Sequence, residues 1–544
     1  MQEAAAVQAP DRTPVFTPLV TLVRASVPTL AEVSLATGSA LLLVLSFPNF
    51  DLWPLAWVAL APLFIGVSQS SKPAPAFILG WLWGAVFFYG SCWWLTYSMI
   101  RYGHLRPLVA YLLLTLPVAL GALFPAFCCL TLSRLTTRFG PAALLATPFI
   151  WISLEWARYI ITGEAWNAIG YSQAFHPGLI QAARWGGVYA VGFLMVMANA
   201  ALAFALLRRS KLEAAATMVL LALVSLVLAV TYIKATIEPE FSGSDSRILV
   251  VAVQPNVPMD GFDDPTAMRQ LLDRHIELSI RGLREGREAS QKSSLVIWPE
   301  SPMTFTYSID AQLQKTIADF TIANHTALLL NSLEAAPNGG SYNSAIMVNE
   351  AGRKVAQYDK IRLMPFGEYV PLPRWLPGAS SVRAIVGEFT PGSSYTLMPL
   401  GDLRAGVFIC FEAAHPSITR TLSNRGAGML INISNDGYLG PTAVMRQHLA
   451  NAIFRAVEND RPLLRVTNSG ITAYIEPTGE VKDATDGFRT AERTWTIKRE
   501  QRGETFYTRH GDVFASAAVL ITVLSFLSFI VAGFETRTGK HRRG

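Results

Sequence analysis

The stretch Val407-Phe408-Ile409-Cys410-Phe411-Glu412 is a run of β-formers that stops at a thiol, with a carboxylate two residues on. The apolar run from Ala405 to Ile409 predicts a buried strand over 404–410 that presents Cys410 at its tip. Taken alone, the pattern also fits a cysteine that only fills the core, since free cysteine is among the most buried residue types. Two other stretches bear on the choice. Leu295-Val296-Ile297-Trp298-Pro299-Glu300 is a second apolar strand, and it closes on a carboxylate. Gln357-Tyr358-Asp359-Lys360 carries an ammonium into a loop punctuated by Pro365, Gly367 and Pro371. Cys410, Glu300 and Lys360, each at the end of an element, supply a nucleophile, a base and a cation.

The chemistry needs all three. A thiol at its ordinary pKa of about 8.5 is mostly protonated at neutral pH and attacks a carbonyl only with help. Glu300 can accept the proton. Lys360, with a backbone N–H near Phe411, can stabilise the charge that develops on the carbonyl oxygen. A Cys-His design is the alternative, with His415 or His448 as base, although neither ends a strand. Glu368 lies in the Lys360 loop and Glu412 beside the thiol. Each is either a solvated loop carboxylate or a group that orients Lys360 and keeps it charged. Asn432, Asn435 and Asp436 cluster at the end of a strand predicted over 428–434, where polar side chains often cap turns.

Composition places this chemistry beside a membrane. Of 544 residues, 51% are hydrophobic and only 15% charged, whereas soluble domains carry roughly 25% charged residues. The apolar excess lies in the first 240 residues or so, and 245–511 reads as an ordinary soluble domain. Residues 1–24 read as a cytoplasmic tail, and a membrane domain is expected over 25–234. A catalytic domain follows over 235–511, then a last span with a basic tail over 512–544. Spans are placed near 26–47, 53–70, 76–100, 107–132, 140–160, 185–207, 214–233 and 513–534, eight in all.

Lys72, Arg134, Arg138, Arg208, Arg209, Lys211, Arg537, Lys540, Arg542 and Arg543 then share one side of the membrane, with Arg101 and Arg106 dissenting. The bias puts 235–512 outside the cytoplasm. The net charge of +6 resides largely in these loops and the tail, which argues against nucleic acid as a partner. The four cysteines, Cys92, Cys128, Cys129 and Cys410, have no metal-type spacing, and neither metal nor cofactor is expected.

Inside the fifth span, Glu155 and Arg158 sit three apart on one helical face. They read either as a self-satisfied ion pair or as a polar lining for a lipid head group. Trp93, Trp94 and Tyr97, and then Trp166, Tyr171 and His176, fit interfacial aromatic belts. In the soluble part, an amphipathic helix is expected over Ala267 to Glu288 and others near 310–323 and 443–458. Strands are expected at 327–333, a hairpin over 343–358, and strands at 463–467 and 472–476. The alternation predicts α/β packing with a sheet covered on both faces.

Glu300 in Trp-Pro-Glu, Lys360 in Tyr-Asp-Lys and Cys410 in Ile-Cys-Phe-Glu, in that order, resemble the nitrilase superfamily. Tyr342-Asn343-Ser344-Ala345 and Asn432-Ile433-Ser434-Asn435-Asp436-Gly437 resemble its flanking motifs. With Met364-Pro365-Phe366-Gly367-Glu368-Tyr369-Val370-Pro371 and the spans, the chain is most similar to the bacterial apolipoprotein N-acyltransferases of that superfamily. The resemblance implies an αββα sandwich on eight membrane helices in the bacterial inner membrane, with its catalytic domain in the periplasm. It implies a phospholipid acyl donor, a thioester on Cys410, and a diacylglyceryl-cysteine apolipoprotein as acceptor. Glu300 would be the base, Lys360 the oxyanion stabiliser and Glu368 a support, with Phe411 and Glu412 as further supporting residues. No cofactor is implied, and the protein is expected to act as a monomer. Superfamily members often carry tyrosine after the nucleophile, and Phe411 here lacks that hydroxyl. A membrane-tethered amidase would use the same three residues with water as acceptor. Release of lysophospholipid without lipoprotein acylation marks that alternative, and loss of function in Cys410→Ala excludes a non-enzymatic scaffold.

Overall fold

A computed structural model describes residues 27–541 apart from 71, 209, 238–246, 261–264, 289–292, 302–304, 338, 372–374, 376–388 and 499–501. The expected tail 1–24 and the basic residues Arg209, Arg542 and Arg543 lie outside the described residues. The first helices are α1 (Leu30–Ser46), α2 (Ala61–Gln69), α3 (Pro73–Cys92), α4 (Leu95–Arg101), α5 (Pro107–Gly121), α6 (Leu123–Phe139) and α7 (Thr147–Thr162). The short α8 (Pro177–Ile180), α9 (Ala183–Arg208) and α10 (Lys211–Ile237) complete this part. The soluble part contributes α11 (Pro265–Glu288), α12 (Ala311–Ala323), α13 (Pro416–Asn424) and α14 (Val444–Asn459). Last come α15 (Phe506–His510) and α16 (Val513–His541).

Among the described residues, four helical stretches are long and apolar enough to cross a bilayer: Pro73–Cys92, Pro107–Thr162, Ala183–Arg208 and Lys211–Ile237. Leu30–Ser46, Trp53–Gln69 and Val513–Leu527 are apolar but shorter. The stretch expected as a second span is a 3-10 turn at Trp53–Trp57 followed by nine-residue α2. Pro54 and Pro62 remove backbone donors there. Buried Asn199 of α9 repairs the break: its Oδ1 accepts from the N–H groups of Leu60 (2.8 Å) and Ala61 (3.1 Å), and its Nδ2 donates to Ala56 O (3.0 Å). A broken helix is tolerated at such depth only with this kind of repair. The span expected at 107–132 instead comprises α5 and α6, both packed on α3.

The soluble part holds two six-stranded sheets. The first comprises β1 (Arg247–Gln254), β2 (Ser294–Ile297), β3 (Thr326–Ala335), β4 (Ser341–Val348) and β5 (Lys354–Asp359), closed at the far edge by β12 (Ala491–Lys498). The second comprises β6 (Leu397–Leu400), β7 (Leu403–Ile409), β8 (Met429–Ser434), β9 (Leu463–Thr467), β10 (Ala473–Ile475) and β11 (Val481–Lys482). β1, β2 and β3 run parallel, as do β7, β8 and β9, and the flanking strands are antiparallel.

Strand periodicity sorts the side chains. Ile248, Val250 and Ala252 of β1 meet Ala405, Val407 and Ile409 of β7 between the sheets. Leu249, Val251 and Val253 face the other way, into a cluster with Leu278 and Leu283 of α11 and Ile317 of α12. Phe408, on the other face of β7, joins the core shared by α13, α14 and the membrane helices. The layers are therefore helix, sheet, sheet, helix. Each sheet is covered on both faces, as the strand–helix alternation predicts, and the four layers are the αββα sandwich that the resemblance implies. The apolar runs are buried on both sides because each sheet covers the other. At about 1.5–3 kcal/mol per fully buried large apolar side chain, the sheet–sheet interface is a major source of stability.

The two parts interlock. Arg455 of α14 donates to the Tyr171 hydroxyl (3.0 Å), and Glu458 accepts from Val188 N (3.1 Å). Arg184 pairs with Asp460 (2.9 Å). These contacts fix the site described next against the membrane helices.

Candidate active site

Glu300 follows β2, Lys360 follows β5 and Cys410 follows β7, so strand ends from both sheets converge. Lys360 is 1% exposed, and its Nζ lies 2.8 Å from Glu368 Oε1 and 3.5 Å from Glu300 Oε1. Asn343 of β4 joins the same group, its Nδ2 donating to Glu300 Oε1 (2.8 Å) and Glu368 Oε1 (2.9 Å). Asn331 fixes that amide by donating to Asn343 Oδ1 (2.8 Å). The remaining carboxylate oxygens are also held: Glu300 Oε2 accepts from Asn435 N (3.1 Å) and Glu368 Oε2 from Met364 N (2.8 Å). Two carboxylates thus share one ammonium and one amide, which keeps them apart in role and fixed in place.

Burial alone disfavours the Lys360 ammonium, but Glu300 and Glu368 outweigh it and hold the group above the ordinary lysine range. Burial pushes the Cys410 thiol up to about 12, Glu300 adds to the rise, and Lys360 works against it. The side chain therefore rests as a thiol, and any attack by it would need a base to take its proton. Cys410 itself has φ +50°, a left-handed conformation that non-glycine residues adopt mainly where the surroundings enforce it.

Glu412 is fully buried, and its carboxylate organises the loops. It accepts from Ile361 N (2.8 Å), Arg362 N (3.0 Å) and Ile409 N (2.8 Å), and from the Tyr358 hydroxyl (2.9 Å). It thereby ties the Lys360 loop to the end of β7. Burial raises its pKa, with the Ile409 and Arg362 amides opposing. The solvated-loop reading of Glu368 and Glu412 does not hold, because both side chains are enclosed and hydrogen-bonded.

The two histidines do not form a Cys-His base. His448 Nε2 lies 2.9 Å from the Cys410 carbonyl oxygen and Nδ1 lies 2.8 Å from Asp436 Oδ1. His415 packs edge-on against Phe411 (5.1 Å between centroids), and its buried Nε2 has no hydrogen-bond partner among the described residues. Burial, then Arg362, push the His415 imidazole down to about 3 from 6.5. Between those values the unfolded chain binds a proton that the folded chain refuses, so stability rises with pH across the window. Acidification below about pH 6.5 is expected to cost about 1.4 kcal/mol per pH unit through this one group. His415→Gln should flatten that acid limb, read as the change in thermal midpoint between about pH 7.5 and about pH 5. An unchanged limb removes His415 as its source. His275, pushed down to about 4 by burial, keeps its own share in both proteins.

The membrane part builds one wall. The Trp166 ring lies nearly parallel to that of Phe411 (6.3 Å, 18°) and 5.6 Å from His448. Trp94 and Trp166 both donate their indole N–H to Gln447 Oε1, at 3.0 and 3.1 Å. Gln447 in turn donates to Ser91 O (3.0 Å). Gly440 (φ +67°) lets the loop after β8 approach the Tyr97 ring, where a Cβ would sit 2.4 Å away. Trp94, Trp166 and Tyr171 are buried in this junction, so they are more than belt residues, while Trp93 remains exposed.

Arg158 does not pair with Glu155. It lies 3.4 Å from Glu164 and donates to Trp166 O (2.8 Å), while Glu155 Oε1 accepts from Ile169 N (3.0 Å). The i,i+3 spacing is overridden because the 163–170 loop folds back and offers each group a closer partner. Asn343, Gln447 and the grip of His448 on Cys410 carry no local sequence signal beyond the flanking motif around Asn343. Among the described residues, no three His, Cys, Asp or Glu side chains converge as a metal site.

The family model for the apolipoprotein N-acyltransferase N-terminal domain matches residues 39–201, and that for carbon-nitrogen hydrolase matches 250–505. The apolipoprotein N-acyltransferase of Geobacter metallireducens is 32% identical over 504 residues, 91% of this chain and 95% of its own. That of Rhizobium etli is 30% identical over 470 residues, 82% and 86% of the two chains. Among solved structures, a Saccharomyces cerevisiae member of branch 10 of the nitrilase superfamily aligns with 47% of this chain and 92% of its own, at 18% identity and a TM-score of 0.37.

Proposed function

The chain belongs to the apolipoprotein N-acyltransferase family, and on that premise we propose how it performs the transfer and with which residues. It is an acyltransferase of lipoprotein maturation, with a lipid as donor and a lipoprotein as acceptor. The donor is a membrane phospholipid and the acceptor is the α-amino group of a diacylglyceryl-cysteine apolipoprotein. Cys410 is the nucleophile, Glu300 the general base and Lys360 the oxyanion donor, with Glu368, Glu412 and Phe411 in support.

In the first half-reaction Glu300 takes the Cys410 proton as sulfur bonds to the ester carbonyl carbon. Lys360 stabilises the oxyanion. The ester C–O bond then breaks, and Glu300 returns the proton to the departing lysophospholipid alkoxide. In the second half-reaction the acceptor amine attacks the thioester, C–N forms and C–S breaks. Glu300 takes the amine proton and hands it to the sulfur. The two halves give ping-pong kinetics.

The observation that supports a lipid donor is the membrane-derived wall beside the thiol. Trp166 against Phe411, with Trp94 tied to it through Gln447, joins the apolar N-terminal helices to the residue after the thiol, which fits a donor drawn from the bilayer. A water-facing amidase needs no such wall. The test is mass spectrometry of the protein mixed with phospholipid alone, where an acyl adduct on Cys410 is expected. Its disappearance on adding a diacylglyceryl peptide completes the cycle, and absence of the adduct defeats the proposal.

The chain is proposed to cross the inner membrane eight times as a monomer, with the membrane domain over 25–234 and the last span within 512–544. The catalytic domain, 235–511, is proposed to face the periplasm. The support is the side shared by most Lys and Arg in the short loops. Exposed Glu350, in the turn between β4 and β5, is the place to check it. Glu350→Cys, with the native cysteines replaced, is expected to react with an impermeant maleimide in intact spheroplasts. Labelling only after lysis contradicts the topology.

A further inference from the structure

His448 reaches the nucleophile from an unexpected direction. It is 3% exposed, projects from α14, and is set between two acceptors: Asp436 Oδ1 at 2.8 Å and the Cys410 carbonyl oxygen at 2.9 Å. Asp436 is itself 1% exposed and ion-paired with fully buried Arg465 (2.8 Å). Arg465 also donates to Asn432, in the neighbouring strand β8. A carbonyl oxygen and a carboxylate both accept and never donate here, so a ring satisfying both must carry a proton on each nitrogen. Burial, and after it Arg465, bring the ring below the ordinary histidine range against the pull of Asp436 and the Cys410 carbonyl, so its charge has to come from its hydrogen bonds. The geometry decides: a neutral ring would set a bare lone pair against one of the two oxygens at hydrogen-bond distance, in a place water does not reach.

The carbonyl that His448 grips belongs to the Cys410–Phe411 peptide, whose other end is the Phe411 N–H. That N–H lies at the start of the turn Cys410–Ala414, ahead of the first N–H with an intrahelical acceptor. A donor on a peptide oxygen polarises the whole amide and makes its N–H a stronger donor. The same grip restrains the left-handed backbone of Cys410, which aims the thiol.

We propose that His448 is a positioning residue: doubly protonated and anchored by Asp436, it holds the Cys410–Phe411 peptide and so aims the Phe411 N–H already read as an oxyanion donor beside Lys360. This rests on the acyl-transfer reading above. The contact His448 makes with Cys410 is to its backbone carbonyl. Of the ion pair below it, Asp436 alone favours the charge on the ring, and Arg465, which pairs with the same carboxylate, opposes it.

Three readouts test this. In ¹⁵N-histidine-labelled wild-type protein, the His448 signals, assigned by their loss in His448→Gln, are expected to show both ring nitrogens protonated at neutral pH; one bare nitrogen overturns the proposal. Acyl-enzyme formation from phospholipid is expected to fall about tenfold or more in His448→Phe, as for loss of a charge-assisted hydrogen bond, and less in His448→Gln, which keeps a donor. The KM for phospholipid should stay unchanged in both. The carbonyl stretch of a ¹³C-labelled thioester on Cys410 is expected to move to higher frequency in His448→Phe, because its hydrogen bond from Phe411 weakens. Wild-type rate and frequency in both variants overturn the proposal while leaving the acyl-transfer reading intact. Absence of any adduct in the wild type overturns that reading instead, and this one with it. Should His448→Phe fail to fold, the wild-type nitrogen signals and His448→Gln decide alone.

Discussion

Cys410→Ser is expected to fold and insert as the wild type does, yet to lose turnover by about 10³-fold or more, because the alkoxide it would need is far harder to generate than a thiolate. The site makes even the thiol hard to ionise, since burial and Glu300 push it up to about 12. In the proposed mechanism attack therefore depends on proton transfer to Glu300 as the bond forms. A serine hydroxyl starts from a much higher pKa, and a carboxylate is too weak a base to close that gap. The substitution is nearly isosteric and leaves the left-handed backbone at position 410 to another L-residue, so structure offers no other reason for a loss. Acylation of a fluorescent diacylglyceryl peptide in phospholipid micelles measures turnover, and thermal unfolding checks the fold. Turnover within about tenfold of wild type would remove Cys410 as the nucleophile.

Lys360→Met is expected to slow acyl-enzyme formation by about 10²–10³-fold, the range for loss of an oxyanion donor. Two effects superimpose. The developing oxyanion loses its ammonium. Glu300 and Glu368, at 3.5 and 2.8 Å from Nζ, also lose the cation between them. Breaking a buried pair by removing one partner costs about 3–5 kcal/mol of stability, so unfolding must be followed alongside rate. Lys360→Arg restores charge and should recover much of the stability. It should recover little of the rate, because a planar fork does not put a compact ammonium where Nζ sits. A single-turnover assay with fluorescent phospholipid and no acceptor reads the burst of lysophospholipid per folded molecule. An unchanged burst rate in Lys360→Met would mean that the oxyanion is held elsewhere.

Much of the catalytic part was legible locally. Runs such as Val250–Val253 and Val407–Ile409 are buried strands wherever they fold, and their ends name Glu300 and Cys410. Edge elements were not legible. β12 carries Glu492, Arg493 and Thr494 among its apolar positions, and it becomes a strand by pairing with β1 across the whole soluble part. β6, at Leu397–Leu400, holds a proline compatible with an edge position. α2 lost its expected length to two prolines, and its repair by Asn199 comes from 139 residues away.

The sequence by itself determined which side chains stand at the strand ends and are proposed to carry the chemistry, because a thiol, a carboxylate and an ammonium there are local facts of pattern and residue type. It also determined that the chain is built largely of apolar segments, since composition alone sets their transfer into lipid. The tertiary structure decided how those groups are held. Only packing brings Asn343 between two carboxylates, sets Glu412 against two backbone amides of the Lys360 loop and one at the end of β7, and turns Trp166 of the membrane part onto Phe411. Such partners are chosen by desolvation: a polar group taken out of water must find whatever donor or acceptor the fold brings within reach, and sequence distance has no bearing on which one that is.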